Sequence, residues 1–156
     1  MGKVNSVHFK KKLHTLRNVG LDSMCFLYLF DDHPHYASLT NTIFTSLETG
    51  NISAATSSVT IVEVFVHAEQ ARDSLVIAEY EEILRTLPHF TIVPLDWHVA
   101  RLASKLRAKY THIKTIDAVQ IASALLSDCK GFITNDEQLK QVKEIEVVVL
   151  KDYVGK

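Results

Sequence analysis

At 156 residues, with 47% hydrophobic and 22% charged residues, the chain has the size and composition of one globular domain that buries a core without disulfide staples. Its formal net charge of −1 excludes a global basic field, so any nucleic-acid binding has to be local. No stretch carries the low-hydropathy, high-charge signature of disorder, and the apolar run at residues 24–30 is far too short to span a membrane.

The chain opens on Lys3, His8, Lys10, Lys11, Lys12, His14 and Arg17, with no acid before Asp22. Residues 1–17 are expected to form a basic N-terminal extension, a solvated tail that could touch a polyanion. A strand over 18–22 and a short apolar helix over 23–30 follow, then a turn at Asp31-Asp32-His33-Pro34-His35 and a helix over 36–49 capped by Gly50. A buried strand at 52–57 leads to helices at 60–69 and 74–87. Pro88 and Pro94 bracket a strand at 90–94, and an amphipathic helix covers 96–110. A strongly apolar helix at 115–128, a strand at 131–134, a short helix at 136–142 and a strand at 146–150 complete the pattern.

Strands separated by helices require crossover connections, which build a parallel sheet with helices on both faces. The expected fold is α/β, a three-layer α/β/α sandwich with a central parallel sheet, formed by residues 18–154. In such sheets ligands bind beyond the carboxyl ends of the strands. Cys25 and Cys129 lack C-x-x-C spacing and neighbouring ligands, so reduced thiols in the cytoplasm are expected rather than a zinc site or a disulfide. The N-terminus has no signal-peptide apolar segment.

Four acids sit among residues that belong in a core. Asp22 ends Val19-Gly20-Leu21, Glu63 lies within Val62-Glu63-Val64-Phe65, Asp117 within Ile116-Asp117-Ala118-Val119, and Asp136 follows Phe132-Ile133-Thr134-Asn135. Ionised carboxylates are rarely left in such company unless paired or bound to metal. Each also fits a helix start: Asp22 and Asp136 as N-caps, Thr60 and Glu63 as a capping box, and Asp117 in a first turn capped by Thr115. Singly, capping explains each acid as well as function does. Together, all four fall where strands end or helices start at one sheet rim, and only Lys114 is an adjacent cation. Converging carboxylates would repel one another, and a divalent cation removes the conflict. Oxygen-only ligation points to Mg²⁺ or Mn²⁺, and such ions support phosphodiester hydrolysis.

These four elements, in this order over residues 18–153, make the chain resemble the PIN-domain nucleases, and within them the VapC-like toxins of toxin–antitoxin pairs. The resemblance implies an α/β/α fold, Mg²⁺- or Mn²⁺-dependent cleavage of RNA, a small antitoxin protein as partner, and a homodimer. It places Asp22, Glu63, Asp117 and Asp136 in the acidic metal site as catalytic residues. Thr134, and with it Ser23, would orient a carboxylate or a water. Many relatives carry Asn two residues after the first acid, where this chain has Met24, so one supporting hydrogen bond is expected to be missing. Glu137 could add an oxygen or simply face solvent.

Among the remaining residues, His33-Pro34-His35 reads as a surface turn, and His67, His89, His98 and His112 have no ligand spacing. Trp97 is expected to anchor the core. Phe26, Tyr28, Phe30 and Tyr36 could line a groove for a partner's helix or pack internally, and Arg17, Lys105, Arg107, Lys109 and Lys114 could meet RNA phosphates or form a solvated face. Besides a toxin, the pattern admits an RNA-maturation or decay nuclease of the same fold, or a non-catalytic binding module. A phosphotransfer receiver or phosphatase fits less well, because the D-x-D-x-T motif and the late-strand Lys are absent.

Overall fold

A computed structural model of the protein describes residues 4–155. Lys3 of the basic run lies outside the described residues. Five parallel strands, β1 (Asn18–Leu21), β2 (Ser53–Ser57), β3 (Phe90–Val93), β4 (Gly131–Thr134) and β5 (Glu146–Val149), are ordered β3-β2-β1-β4-β5. The helices are α1 (Ser6–Leu16), α2 (Ser23–Phe30), α3 (Ala37–Glu48), α4 (Val59–Gln70), α5 (Ser74–Thr86), α6 (Trp97–Lys109) and α7 (Thr115–Leu126). This is the three-layer parallel α/β/α sandwich expected from the alternation of elements. Among the described residues no helix is long and apolar enough to cross a membrane.

Strand alternation divides the core into two layers. Val19, Leu21 and Ile133 face α1, α2 and α3, meeting Phe9, Phe26 and Ile43. Ala55 and Phe132 face α6 and α7, meeting Leu106 and Ile121. Gly20, at the centre of the sheet, lets α7 close in: a Cβ there would stand 2.4 Å from the Ala124 Cβ. That contact seats α7, and with it Asp117, against β1.

Three segments differ from expectation. The residues read as a solvated basic tail form α1, whose Phe9, Leu13 and Leu16 are buried while lysines occupy the outer face. Lysine density hid a period-3.6 apolar stripe, Phe9-Leu13-Leu16. The Asn5 side chain caps α1 by accepting from the His8 N–H at 3.3 Å, and Asn5 N–H donates to the Tyr153 carbonyl at 2.7 Å. The expected helix at 136–142 is a 3-10 turn over Glu137–Gln141, and a second one, Leu150–Tyr153, takes up the end of the last expected strand.

Candidate active site

β1 and β4 are the central pair, and their carboxyl ends position the site. The Asp22 N–H donates to the Ile133 carbonyl at 3.0 Å, carrying the β1–β4 pairing one residue past the strand. The carboxylate is buried, 6% exposed. It makes no capping bond to α2; instead Oδ1 accepts from Ser23 Oγ at 3.1 Å and Oδ2 from Thr134 Oγ1 at 2.6 Å. Burial pushes its pKa up, and the two hydroxyls pull it back.

Thr134 ends β4 fully buried, and its Oγ1 also accepts from the Asp136 backbone N–H at 3.1 Å. One hydroxyl therefore ties the Asp22 carboxylate to the backbone of the fourth acid. Asp136 does act as a cap: its Oδ1 accepts from the Gln138 N–H at 2.9 Å and starts the 3-10 turn.

Glu63 projects from α4. Because α4 starts at Val59 after Ser58, Thr60 lies inside the helix and no capping box forms. The Glu63 carboxylate is half-buried, with Oε1 accepting from Gln120 Nε2 at 3.1 Å. Burial raises its pKa and the charge of Asp22 adds to the rise, while the Ser23 hydroxyl opposes it. Asp117 sits in the first turn of α7, whose N-cap position is Lys114 with no side-chain cap. Burial comes first among the causes that raise its pKa to about 6, followed by the charges of Asp22, Asp136 and Glu63, with Lys114 opposing.

Four elements carry the acids, and the charges of Asp22, Asp136 and Glu63 all bear on Asp117, with Lys114 as the opposing cation. Capping accounts for Asp136 but not for Asp22, Glu63 or Asp117. Among the described residues no three His, Cys, Asp or Glu side chains form a ready-made ligand cluster. The donor set is nonetheless chemically consistent: carboxylate oxygens from Asp22, Glu63, Asp117 and Asp136 can hold a hard divalent cation, which would offset their repulsion. Beside Asp22 and Asp136 opens a cleft of about 430 Å³, also lined by Met24, Tyr28, Asn135 and Lys151. Asn135 Nδ2 donates to Tyr28 Oη at 3.1 Å, and Asn135 Oδ1 accepts from the Lys151 N–H at 2.9 Å, fixing this wall.

Sequence reasoning missed Gln120 and Thr56 and read Thr60 only as a helix cap; all three are buried and form a polar chain beneath Glu63. The available signal was Gln120 itself, a polar residue three positions after Asp117 in an otherwise apolar helix. Trp97 is not a core anchor: it opens α6 at 74% exposure, because Val99, Ala103 and Leu106 carry the buried stripe. Phe26 is fully buried, Phe30 stacks on Tyr80 with centroids 4.1 Å apart, and Tyr28 stacks on Tyr36 at 4.7 Å, so packing occupies these rings. An exposed apolar groove of about 640 Å³ lies instead between α4 and α5, lined by Ile61, Val62, Phe65, Val66, Ile77 and Leu84. Arg17 stands before β1, at the amino end of the sheet, so it does not face the acids. Lys109 pairs with Glu144 at 2.5 Å, and Arg107 donates to the Ile113 carbonyl and to Thr115 Oγ1. Lys105 and Lys114 are exposed. His33 Nδ1 accepts from the His35 N–H at 3.2 Å within its turn.

A model of the PIN domain matches residues 19–145, a span that contains all four acids. The chain belongs to the PIN domain family. This PIN domain begins at β1, which leaves α1 outside the matched region. Its fold is similar to that of a chain in the Rickettsia felis VapBC2 complex bound to a promoter DNA fragment, at TM-score 0.67 and 15% identity, covering 85% of this chain and 98% of that one. A toxin–antitoxin complex from Klebsiella pneumoniae gives TM-score 0.61 and 22% identity over 85% and 97% of the two chains. FitAcB from Neisseria gonorrhoeae gives TM-score 0.63 and 18% identity over 86% and 98%. Among curated proteins, none matches the chain in sequence.

Proposed function

We propose that this PIN domain is a cytoplasmic, Mg²⁺- or Mn²⁺-dependent RNA endonuclease, the toxin of a toxin–antitoxin pair. The observation that supports the reading is that Asp22 and Asp136 follow the carboxyl ends of β1 and β4 while the charges of Asp22, Asp136 and Glu63 all bear on Asp117, and that Asp22, Glu63 and Asp117 make no side-chain capping bond. These four carboxylates are the residues that would hold the cation. When bound, the cation supplies charge to offset them and Lewis-acid activation for phosphodiester hydrolysis.

The chain's own residues do the remainder. Thr134 Oγ1 and Ser23 Oγ donate to Asp22, which opposes the upward push of burial on its pKa and fixes the carboxylate in direction. Thr134 also sets the backbone of Asp136. The cleft beside Asp22 and Asp136 gives an RNA strand room, with Met24 on its wall and Lys151, which pairs with Glu137 at 3.5 Å, at its edge.

An antitoxin partner is supported by the kind of complexes in which the similar folds occur. The groove between α4 and α5 offers such a partner an apolar surface, with Val62 70% exposed at its edge. Exposed Leu95 and Trp97 support a homodimer as the working form.

The test is incubation of the purified protein with single-stranded RNA and Mn²⁺ or Mg²⁺, beside the Asp22→Asn variant and an EDTA control. Cleavage that is lost both in EDTA and in the variant is expected. Intact RNA in every arm would refute the nuclease reading, and cleavage unaffected by Asp22→Asn would refute this site.

A further inference from the structure

Gln120, 1% exposed in α7, holds the centre of a buried polar chain. Its Nε2 lies 3.1 Å from Glu63 Oε1 and 3.2 Å from Thr60 Oγ1; Thr60 Oγ1 is 2.7 Å from Thr56 Oγ1, and Thr56 Oγ1 is 2.7 Å from the Leu21 carbonyl. The chain has one direction. A carbonyl only accepts, so Thr56 spends its hydrogen on Leu21 and must accept from Thr60. Thr60, its hydrogen also spent, accepts from Gln120. Both hydrogens of the Gln120 amide are then assigned, one to Thr60 and one to the Glu63 carboxylate, and a flip of the amide would break both bonds.

The remaining Gln120 atom, Oε1, is buried and has no partner. An unpaired buried acceptor destabilises the fold, and a methionine of similar length would avoid it. A residue that is unfavourable for packing and yet fully committed through its donors is what a positioning role produces.

We infer that Gln120 is the positioning residue for Glu63: the hydroxyl relay from the Leu21 carbonyl locks its amide, and the amide locks one carboxylate oxygen so that the other is presented toward Asp22 and Asp117. This rests on the reading of Glu63 as a cation ligand. Leu21 immediately precedes Asp22, and Gln120 follows Asp117 by one helical turn, so the relay joins three of the four acids to one rigid frame.

The experiment is Mn²⁺ titration by calorimetry, with thermal melting in EDTA, on the wild type, Gln120→Met, Glu63→Gln and the double variant. Gln120→Met is expected to melt at or above the wild-type temperature while binding Mn²⁺ about 10–100-fold more weakly. The double variant is expected to bind no more weakly than Glu63→Gln alone, because the two act through one interaction. Thr60→Val, which keeps Gln120 but frees its second hydrogen, is expected to weaken binding in the same direction and secures the test should Gln120→Met fail to fold. Wild-type affinity in both Gln120→Met and Thr60→Val, or additive losses in the double variant, would overturn the inference while leaving the metal site standing. A wild type that binds no Mn²⁺ would overturn both.

Discussion

Replacing Asp117 by Asn separates function from stability, because the two respond in opposite directions. Asp117 has its pKa raised to about 6 from the ordinary 3.8, by burial first and then by Asp22, Asp136 and Glu63. A native state that holds its proton more tightly than the unfolded chain loses stability as pH rises through that interval. The gap is roughly two pH units, or about 3 kcal/mol at full strength. Because Asp117 is partly exposed, solvent screening reduces this to roughly 1–2 kcal/mol. Without metal, Asp117→Asn should therefore be about 1–2 kcal/mol more stable than the wild type at pH 7.5, and the two should converge near pH 4. Mn²⁺ should reverse the order by stabilising the wild type, by about 2.7 kcal/mol at a hundred times its Kd, and not the variant. Urea unfolding at both pH values, with EDTA and with Mn²⁺, measures all of this. A variant less stable than wild type at pH 7.5 in EDTA would refute the raised pKa that burial and the neighbouring acids give Asp117.

Other substitutions probe its supports. Thr134→Val removes the 2.6 Å bond to Asp22 and the acceptor for the Asp136 N–H, so a loss of about 1–3 kcal/mol in urea unfolding and a strong drop in Mn²⁺-dependent cleavage are expected. Phe9→Ala should cost about 3–5 kcal/mol by the same assay if α1 is part of the core, whereas a solvated extension would tolerate it. Gly20→Ala drives a Cβ to 2.4 Å from Ala124 and should destabilise by about 1–3 kcal/mol or more, with α7 displaced. Trp97→Ala, at an exposed position, should leave the melting temperature of the isolated chain nearly unchanged but shift a homodimer toward monomer in light scattering.

The layers of the fold were legible because strand and helix periods alternate cleanly, and the sheet rim was legible because parallel topology fixes which strand ends converge. Asp22 and Asp117 stood out as charges in apolar runs. The capping alternatives could not be resolved from local sequence, since Thr60 and Glu63 satisfy a capping-box pattern yet the helix starts one residue earlier. Gln120 escaped notice because an uncharged amide in an apolar helix gives little contrast, and its meaning depends on Thr60, sixty residues away. Trp97 lies ahead of the buried stripe of Val99, Ala103 and Leu106, so its size does not carry it into the core. The lysines of α1 disguise three core positions, because Phe9, Leu13 and Leu16 show only as a helical spacing within a basic run.

The central claim, that these acids form one cation site, is tested most directly by anomalous diffraction from Mn²⁺-soaked crystals. The account predicts a peak at the carboxyl rim of β1 and β4, with oxygens of Asp22 and Asp117 among its ligands at about 2.1–2.2 Å, near the distances of hard-cation ligation. A peak confined to other residues, such as the His33–His35 turn, or no peak at saturating Mn²⁺, would contradict it.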